Sequence, residues 1–401
     1  MAILCLGLGQ ELWAPFMPRY LEARIRQALG EGAPLLGLDP AQAVILAVGL
    51  YGTWRDLQEA AAYWAGGWLG GRLGLRAALL LFSALPLAGY ALLLLWASPL
   101  AAFLALPFLT VYDAISSPAA LSVVGATVDP RRRTLGIALQ SLQRRLPRVL
   151  AYLGGGALVA GLGAVGGVQA SLLLSAPLVG VALLVQWRHL RAGTREAPAV
   201  RPVGSLGLVR RFDPQLKRLL VADALARVAE GMPRELLVLW LVALPALGDP
   251  AAGSLRYGQL LALQSLVALL TYVPIGLLAA RGGSRKPLVA ASFLCFALFP
   301  PLTWWLGSAF GLAGLVAAFL VGGLRELGEP ARKAVITELV PSDAPTRAVG
   351  VYWGVRCLLT APVPLLGALL WIGWGPGAPF LAAGAAGLLG TCWLLVGCRV
   401  R

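Results

Sequence analysis

Apolar stretches recur along the whole chain. Each is about long enough to cross the roughly 30 Å hydrocarbon core of a bilayer, which takes about 20 residues as a helix. They cover 2–21, 42–66, 75–97, 99–125, 134–160 and 165–187, then 216–243, 257–280, 287–306, 310–338, 347–371 and 376–398. Inside lipid, backbone polar groups must bond within their own segment, so runs of this length fold as helices. The composition agrees, at 59% hydrophobic and 13% charged where soluble domains carry roughly a quarter charged residues. The chain reads as an all-α polytopic membrane protein with twelve transmembrane helices.

One break is unlike the rest. Residues 187–218, "WRHLRAGTREAPAVRPVGSLGLVRRFDPQLKR", form the long polar, proline-containing stretch of the chain. It separates a first half, 1–187, from a second half, 216–401, with 188–215 as a linker. The halves echo each other in order and position. "FMPRYL" (16–21) answers "GMPREL" (231–236), "GWLGGRLGLR" (67–76) answers "GLLAARGGSR" (276–285), and "DAISSPAAL" (113–121) answers "RELGEPARK" (325–333). Three matches in register point to a duplicated six-helix unit. Two six-helix bundles joined by a central loop are expected.

The formal charge of +15 would suit a nucleic-acid partner if the basic residues formed a patch exposed to water. They are distributed differently. Arg72, Arg76, Arg131, Arg132, Arg133, the basic residues of the linker, Arg281, Arg285, Lys286, Arg347, Arg399 and Arg401 fall in one alternating set of loops. The opposite set holds Arg24, Arg26 and Arg256. Such a bias marks the cytoplasmic side. Both termini and the linker are therefore expected in the cytoplasm, in a multi-pass protein of the cell membrane. Nucleic acid is excluded as a partner; the lipid bilayer and a small-molecule substrate are expected instead.

Motifs that carry chemistry are few. Cys5, Cys295, Cys357, Cys392 and Cys398 lie in apolar runs without CxxC or metal-type spacing and read as small packing residues. The single histidine, His189, sits in the basic linker and reads as solvated. No HExxH, nucleophile elbow or nucleotide-binding P-loop occurs, which argues against an intramembrane enzyme and an ATP-driven pump. No metal or cofactor is expected, and the chain is read as a monomer. The first run carries Glu11 and continues into "MPRYLEARIR", unlike a cleavable signal. Because that run opens at Ala2 without a polar lead, a start upstream of Met1 is expected.

The loop between segments two and three reads Gly67, Leu69, Arg72, Gly74, Arg76, and the second half repeats it as Gly276, Leu278, Arg281, Gly283, Arg285. Glycines permit a tight turn against a neighbouring helix, and the arginines can reach helix carbonyl ends or a partner acid. Together with twelve segments in two repeats, this resembles the G-x-L-x-D-R-x-G-x-R pattern of the major facilitator superfamily. The resemblance implies secondary transport by alternating access, helices one, four, seven and ten lining a central path, and a cytoplasmic gating role for Gly67, Arg72, Gly74, Arg76, Gly276, Arg281, Gly283 and Arg285. The acidic position of the pattern is Gly71 here and Ala280 in the second half, so the implied cytoplasmic charge relay lacks its carboxylate. In "YLGGGALVAG" (152–161) the glycines of the family's antiport signature are present but Pro147 is displaced, and the stretch reads as close helix packing.

Charges inside the segments are the most informative feature. "GGLRELGEPARKAV" (322–335) places Arg325, Glu326, Glu329, Arg332 and Lys333 in the inner part of segment ten. Arg325–Glu329 and Glu329–Lys333 are spaced to pair one helical turn apart. Pro330 should leave the Glu326 carbonyl without its amide partner and bend the helix. A cavity-lining or gating cluster and a snorkelling interface cluster both suit these residues. Segment seven can pair with itself through Asp223, Arg227 and Glu230.

Segment five holds Arg144, Arg145 and Arg148 and no acid. An unpaired arginine at mid-membrane costs about 2.5–3.5 kcal/mol, so partners are expected among Glu11, Asp56, Glu59 and Asp113 on other helices. Arg356 needs one too. A buried ion-pair network of Asp56, Glu59, Arg144, Arg145, Arg148, Arg227 and Arg356 is expected. The resemblance further implies that Glu11, Asp113, Glu230, Arg325 and Glu329 lie on the substrate route. Glu11, alone in its helix, is the first choice for an acid that exchanges protons, and an ion pair with a helix-five arginine is its structural alternative. The expected function is proton-coupled efflux of a small organic or drug-like compound. Uptake or exchange of an anionic metabolite stands beside it, as does a non-transporting membrane receptor or scaffold.

Overall fold

The structure, a computed structural model, describes residues 1–29, 37–73, 75–112, 133–189, 205–280, 285–342 and 345–398. Within these, the side chains of 65–73, 75, 133–144, 205, 206, 273, 276, 278–280 and 346 are left aside. Asp113, Gly74, Arg281 and Gly283 therefore lie outside the described residues, as do the side chains of Arg72 and Arg144. Gly67 and Gly276 are helical.

Among the described residues, helices lie in each apolar segment read from the sequence. The first is α1 (Ala2–Trp13), which passes through a 3₁₀ turn at Ala14–Phe16 into α2 (Met17–Leu29). Pro15 and Pro18 deny the α-helical ladder two amides there, and the backbone tightens locally. Next come α3 (Pro40–Leu73), α4 (Leu75–Leu95), α5 (Pro99–Leu109) and α6 (Arg133–His189). A short α7 (Ser205–Arg210) lies in the linker. The second half continues with α8 (Pro214–Arg234), α9 (Leu237–Val242), α10 (Pro250–Ala280), α11 (Lys286–Leu324) and α12 (Glu329–Leu339). It ends with α13 (Pro345–Thr360), α14 (Val363–Trp374) and α15 (Ala378–Gly397).

Two local signals set these ends. Asp39, Ser98, Asp213 and Asp249 each precede a proline, and each side chain accepts a backbone N–H of the first turn at 2.7–3.2 Å. A short oxygen-bearing cap followed by proline is a strong helix start, because proline's missing N–H falls where no intrahelical partner exists. The second signal is glycine at positive φ. Gly163 (φ 75°) and Gly311 (φ 57°) interrupt α6 and α11. At Gly163 the chain doubles back: a Cβ on Gly167 would stand 2.4 Å from the Cα of Val159, which a straight helix would hold far away. The predicted breaks at 160–165 and 306–310 are thus hairpins that turn on one left-handed glycine each.

Five helical stretches among the described residues are long and apolar enough to cross a membrane: Arg76–Leu95, Arg145–His189, Lys286–Leu339, Arg347–Trp374 and Ala378–Gly397. Among those that fall short, α3 carries Arg55, Asp56 and Glu59, and α8 carries Asp223, Arg227, Glu230 and Arg234. The charges turn inward. Asp223, Arg332 and Asp56 are 0%, 2% and 4% exposed, whereas Leu95, Trp374 and Val396 are 87%, 78% and 90% exposed. Soluble proteins bury apolar groups and hydrate charged ones; an exterior this apolar around an ionic interior is suited to lipid.

Packing brings the two halves of the chain together along two lines. On one, α6 lies against both α1 and α10; on the other, α3 lies against α13 and α14. Small residues make the first line close. A Cβ on Gly155 would meet the Leu12 carbonyl at 2.1 Å, and one on Gly258 would meet the Tyr152 carbonyl at 2.4 Å. Gly154 and Gly155 are accordingly contact points for α1, and Gly156 for α10.

Candidate functional site

Among the described residues, three ion pairs run from the first half of the chain to the second. On α3, Arg55 Nη1 is 2.8 Å from Glu235, and Asp56 is 2.7 Å from Arg234 Nη2. Arg234 also meets the adjacent Glu235 at 3.0 Å, and Arg55 approaches Asp56 at 3.7 Å, so four charges of alternating sign form a ring. The gap between α8 and α9 makes this possible. Pro233 weakens the last turn of α8, and the chain leaves the helix at Glu235, which lets consecutive residues both face α3. On α6, Arg145 Nη2 lies 2.7 Å from Glu326. The second oxygen of Glu326 accepts the Tyr272 hydroxyl at 3.1 Å.

Segment ten departs from the expected kinked helix. Its helix stops at Leu324 and restarts at Glu329, with Pro330 in the first turn. Between them, the amides of Glu326, Leu327 and Glu329 bond to carbonyls three residues back. The Glu326 carbonyl is therefore not orphaned; it accepts the Glu329 amide at 3.1 Å. Tighter turns advance about 120° per residue, so Arg325 and Glu329 lose their common face and do not pair. Arg325 instead lies 3.8 Å from Glu230, with its guanidinium over the rings of Phe299 (4.4 Å) and Phe296 (5.1 Å).

Glu329 gathers Arg332, Lys333 at 3.1 Å and Arg227 at 3.5 Å. Arg332 also binds Asp223, which takes the Tyr352 hydroxyl at 3.2 Å and Arg356 at 3.5 Å. The segment-seven triad does form, through Arg227–Glu230 and a longer 3.9 Å approach of Arg227 to Asp223. Segment five, on α6, supplies a further pair. Arg148 Nε is 2.6 Å from Glu11, and the Tyr152 hydroxyl donates to the other Glu11 oxygen at 2.9 Å. Glu11 is thus half of an ion pair rather than a solitary acid. Of the carboxylates expected to serve helix five, Glu11 meets Arg148, while Arg145 finds Glu326, which was not among them.

Glu59 requires a further correction. It was expected in the ion-pair network, yet it has no basic side chain within 4 Å among the described residues. Its hydrogen bond comes from the Tyr63 hydroxyl, one turn away, at 3.2 Å. Arg55, which has the spacing to pair with it, is drawn to Glu235 instead. Glu59 faces a partly open cavity of about 130 Å³ bounded by Gln10, Trp13, Ala14, Tyr51, Arg55, Leu106 and Thr110.

Two arginine side chains of the glycine–arginine loops are described. Arg76 donates to the carbonyl of Trp187 at 2.7 Å, near the end of α6. Arg285 contacts both oxygens of Glu338 at 2.8 Å, near the end of α12. These are the two modes foreseen, a helix carbonyl and a partner acid. No group of residues suited to a metal ion occurs among the described residues.

No protein-family model matches the sequence, and no curated protein matches it. Solved structures do match its shape. A crystal structure of the human organic anion transporter MFSD10 (TETRAN) superposes with a TM-score of 0.71 at 20% identity, covering 98% of this chain and 97% of that one. The peptide transporter POT in complex with sulfate gives 0.68 at 18% identity over 98% and 93%. A POT family transporter in complex with 5-aminolevulinic acid gives 0.68 at 14% identity over 98% and 95%. The fold is that of the major facilitator superfamily.

Within the major facilitator fold, the helices implied to line a central path bear Glu11 (segment one), Glu230 (seven), and Arg325 and Glu329 (ten). All four are tied into ion pairs. Sequence reasoning missed Arg234 and the hydroxyls of Tyr152, Tyr272 and Tyr352. A signal for the first was present: Arg55-Asp56 and Arg234-Glu235 are matching base–acid dipeptides in opposite halves. Tyr152 lies one helical turn beyond Arg148, in line with the same partner acid.

Proposed function

We propose that this chain is a secondary transporter that moves a small organic compound across the cytoplasmic membrane by alternating access, coupled to protons and directed outward. On this reading twelve helices cross the bilayer as two six-helix bundles, 1–187 and 216–401, with 188–215, Met1 and Arg401 in the cytoplasm. The observation that carries it is the seam itself. The halves of a strongly apolar chain meet through Arg55–Glu235, Arg234–Asp56 and Arg145–Glu326, beside a cavity. Ion pairs that can exchange partners suit surfaces that must separate and rejoin, since each half keeps further charges of its own to receive what the other releases. A scaffold has no use for so many buried charges, each costly to place in lipid. Proton coupling is assigned first to Glu11, which would take up a proton when Arg148 is drawn away.

The reading is tested with the purified full-length protein. A thermal-shift panel of organic cations, organic anions and drug-like compounds identifies what stabilises it. Stabilising compounds are then loaded into proteoliposomes under an imposed pH gradient. Accumulation that collapses with a protonophore is expected. Binding without flux for every stabilising compound would replace the transporter with a receptor or scaffold.

Uptake or exchange of an anionic metabolite has one observation in its favour besides the likeness to an organic anion transporter. Among the described residues of the second half, Arg227, Arg325, Arg332, Lys333 and Arg356 cluster around only Asp223, Glu230 and Glu329. Against it, Arg145 and Arg148 on helix five are already neutralised by Glu326 and Glu11. The same panel separates the two, because anions and cations are scored side by side.

A further inference from the structure

Glu59 has no basic side chain within 4 Å among the described residues; the Tyr63 hydroxyl donates to it at 3.2 Å. The charged groups whose fields reach it are Arg55 and Asp56 on its own helix, Arg234 on α8 and Arg356 on α13. Every one of these bases is committed elsewhere: Arg55 to Glu235, Arg234 to Asp56, and Arg356 to Asp223. Asp56, one helical turn before Glu59, is likewise neutralised by Arg234. One oxygen of Glu59 accepts from Tyr63, and Glu59 lines the 130 Å³ cavity.

We propose that this cavity is a binding site for a small organic cation, whose ammonium group pairs with Glu59. Arg55 also lines the cavity, its charge offset by Glu235 at 2.8 Å, and four further lining residues fit that ligand. Trp13 and Tyr51 present aromatic rings, which attract cations through their faces and accommodate hydrocarbon. Gln10 and Thr110 offer oxygens to the remaining ammonium hydrogens. The volume approaches the about 150 Å³ of an apolar cavity known to admit benzene, so one ring or a short alkyl chain fits with its charged end at the acid. A carboxylate in such a place is costly without a positive partner. The neighbouring guanidinium that could serve is spent on holding the two halves together. The site names the substrate class within the transport reading and rests on it only for its purpose, since the binding chemistry stands without flux.

Benzylammonium is the probe, with benzyl alcohol as its neutral counterpart and benzoate as its anion. Calorimetric titration of the full-length protein in detergent at neutral pH should give binding of benzylammonium that exceeds benzyl alcohol by about tenfold or more, the scale of a charged hydrogen bond. E59Q should remove that preference. Should E59Q fold poorly, E235Q leaves Glu59 in place but frees Arg55 to occupy it, and should weaken benzylammonium binding in the same direction. Equal binding by wild type and E59Q, a preference for benzyl alcohol or benzoate, or no binding by the folded wild type overturns the site. Flux of a compound from the panel by a folded protein that binds no benzylammonium would remove the cation site and leave the transport reading. Benzylammonium binding with no flux would do the reverse.

Discussion

Arg145 and Glu326 meet at 2.7 Å across the two halves of the chain. Arg145 stands in segment five (134–160), which has three arginines and no acid, and Glu326 stands in the non-helical turn between α11 and α12. That turn frees the Glu326 side chain from the face it would have occupied in a continuous helix, and Tyr272 from α10 steadies it from the other side. A broken helix in one half thereby supplies the counter-charge that a helix in the other half lacks.

Reversing this pair should be better tolerated than breaking it. Removing one partner of a buried ion pair costs roughly 3–5 kcal/mol, and the partial exposure of Arg145 puts Arg145→Ala near the lower figure. Arg145→Glu combined with Glu326→Arg should recover a measurable part of the lost unfolding temperature in detergent. A double variant no more stable than the two single losses combined would show that the contact does not hold the halves.

Glu59 and Glu235 compete for one guanidinium, and their substitutions should not be additive. In Glu235→Gln, Arg55 can turn to Glu59, so the loss of stability should be modest. In Glu59→Gln the seam is untouched, and the loss should be small. The double variant leaves Arg55 only its longer approach to Asp56 at 3.7 Å and should lose about 1–3 kcal/mol more than the sum, within the usual range for coupled sites. Denaturant or thermal unfolding of the four proteins measures this, and simple additivity would mean that Arg55 cannot make the exchange.

Glu11→Gln should uncouple transport from protons. The amide keeps the shape of the acid and its contact with Tyr152, but it cannot titrate. Exchange of a labelled substrate between the two sides of a proteoliposome should persist, while accumulation driven by a pH gradient should be lost. If accumulation survives, the coupling role passes to Asp113 or Glu230, and Glu11 is a structural partner of Arg148.

Topology is open to a direct test. Reporters that are active only in the periplasm, fused after Arg401 or within 188–215, should be silent, and a cytoplasmic reporter at the same points should be active. The opposite result would invert every assignment of sides that rests on the Lys and Arg distribution.

Much of this molecule was legible in its sequence because lipid imposes simple local rules. Apolar run length fixed where helices lie, and the Asp-Pro and Ser-Pro pairs and single glycines at 163 and 311 fixed where they begin and turn. Both are properties of neighbouring residues, so no knowledge of distant contacts was needed. The need for partners was legible too, since an arginine such as Arg148 cannot stay unpaired in a membrane interior. Which partner each charge would take was not. Arg145 chose Glu326, Arg55 chose Glu235 over the acid one turn away, and Glu59 was left facing a cavity. An ion pair between helices is decided by the separation of side-chain tips over a few ångströms, and that separation is set by how whole helices pack, break and cross. Only the tertiary structure holds that information, and so it alone determined the ring at Arg55–Asp56–Arg234–Glu235 and the place of Glu59 beside it, at the cavity.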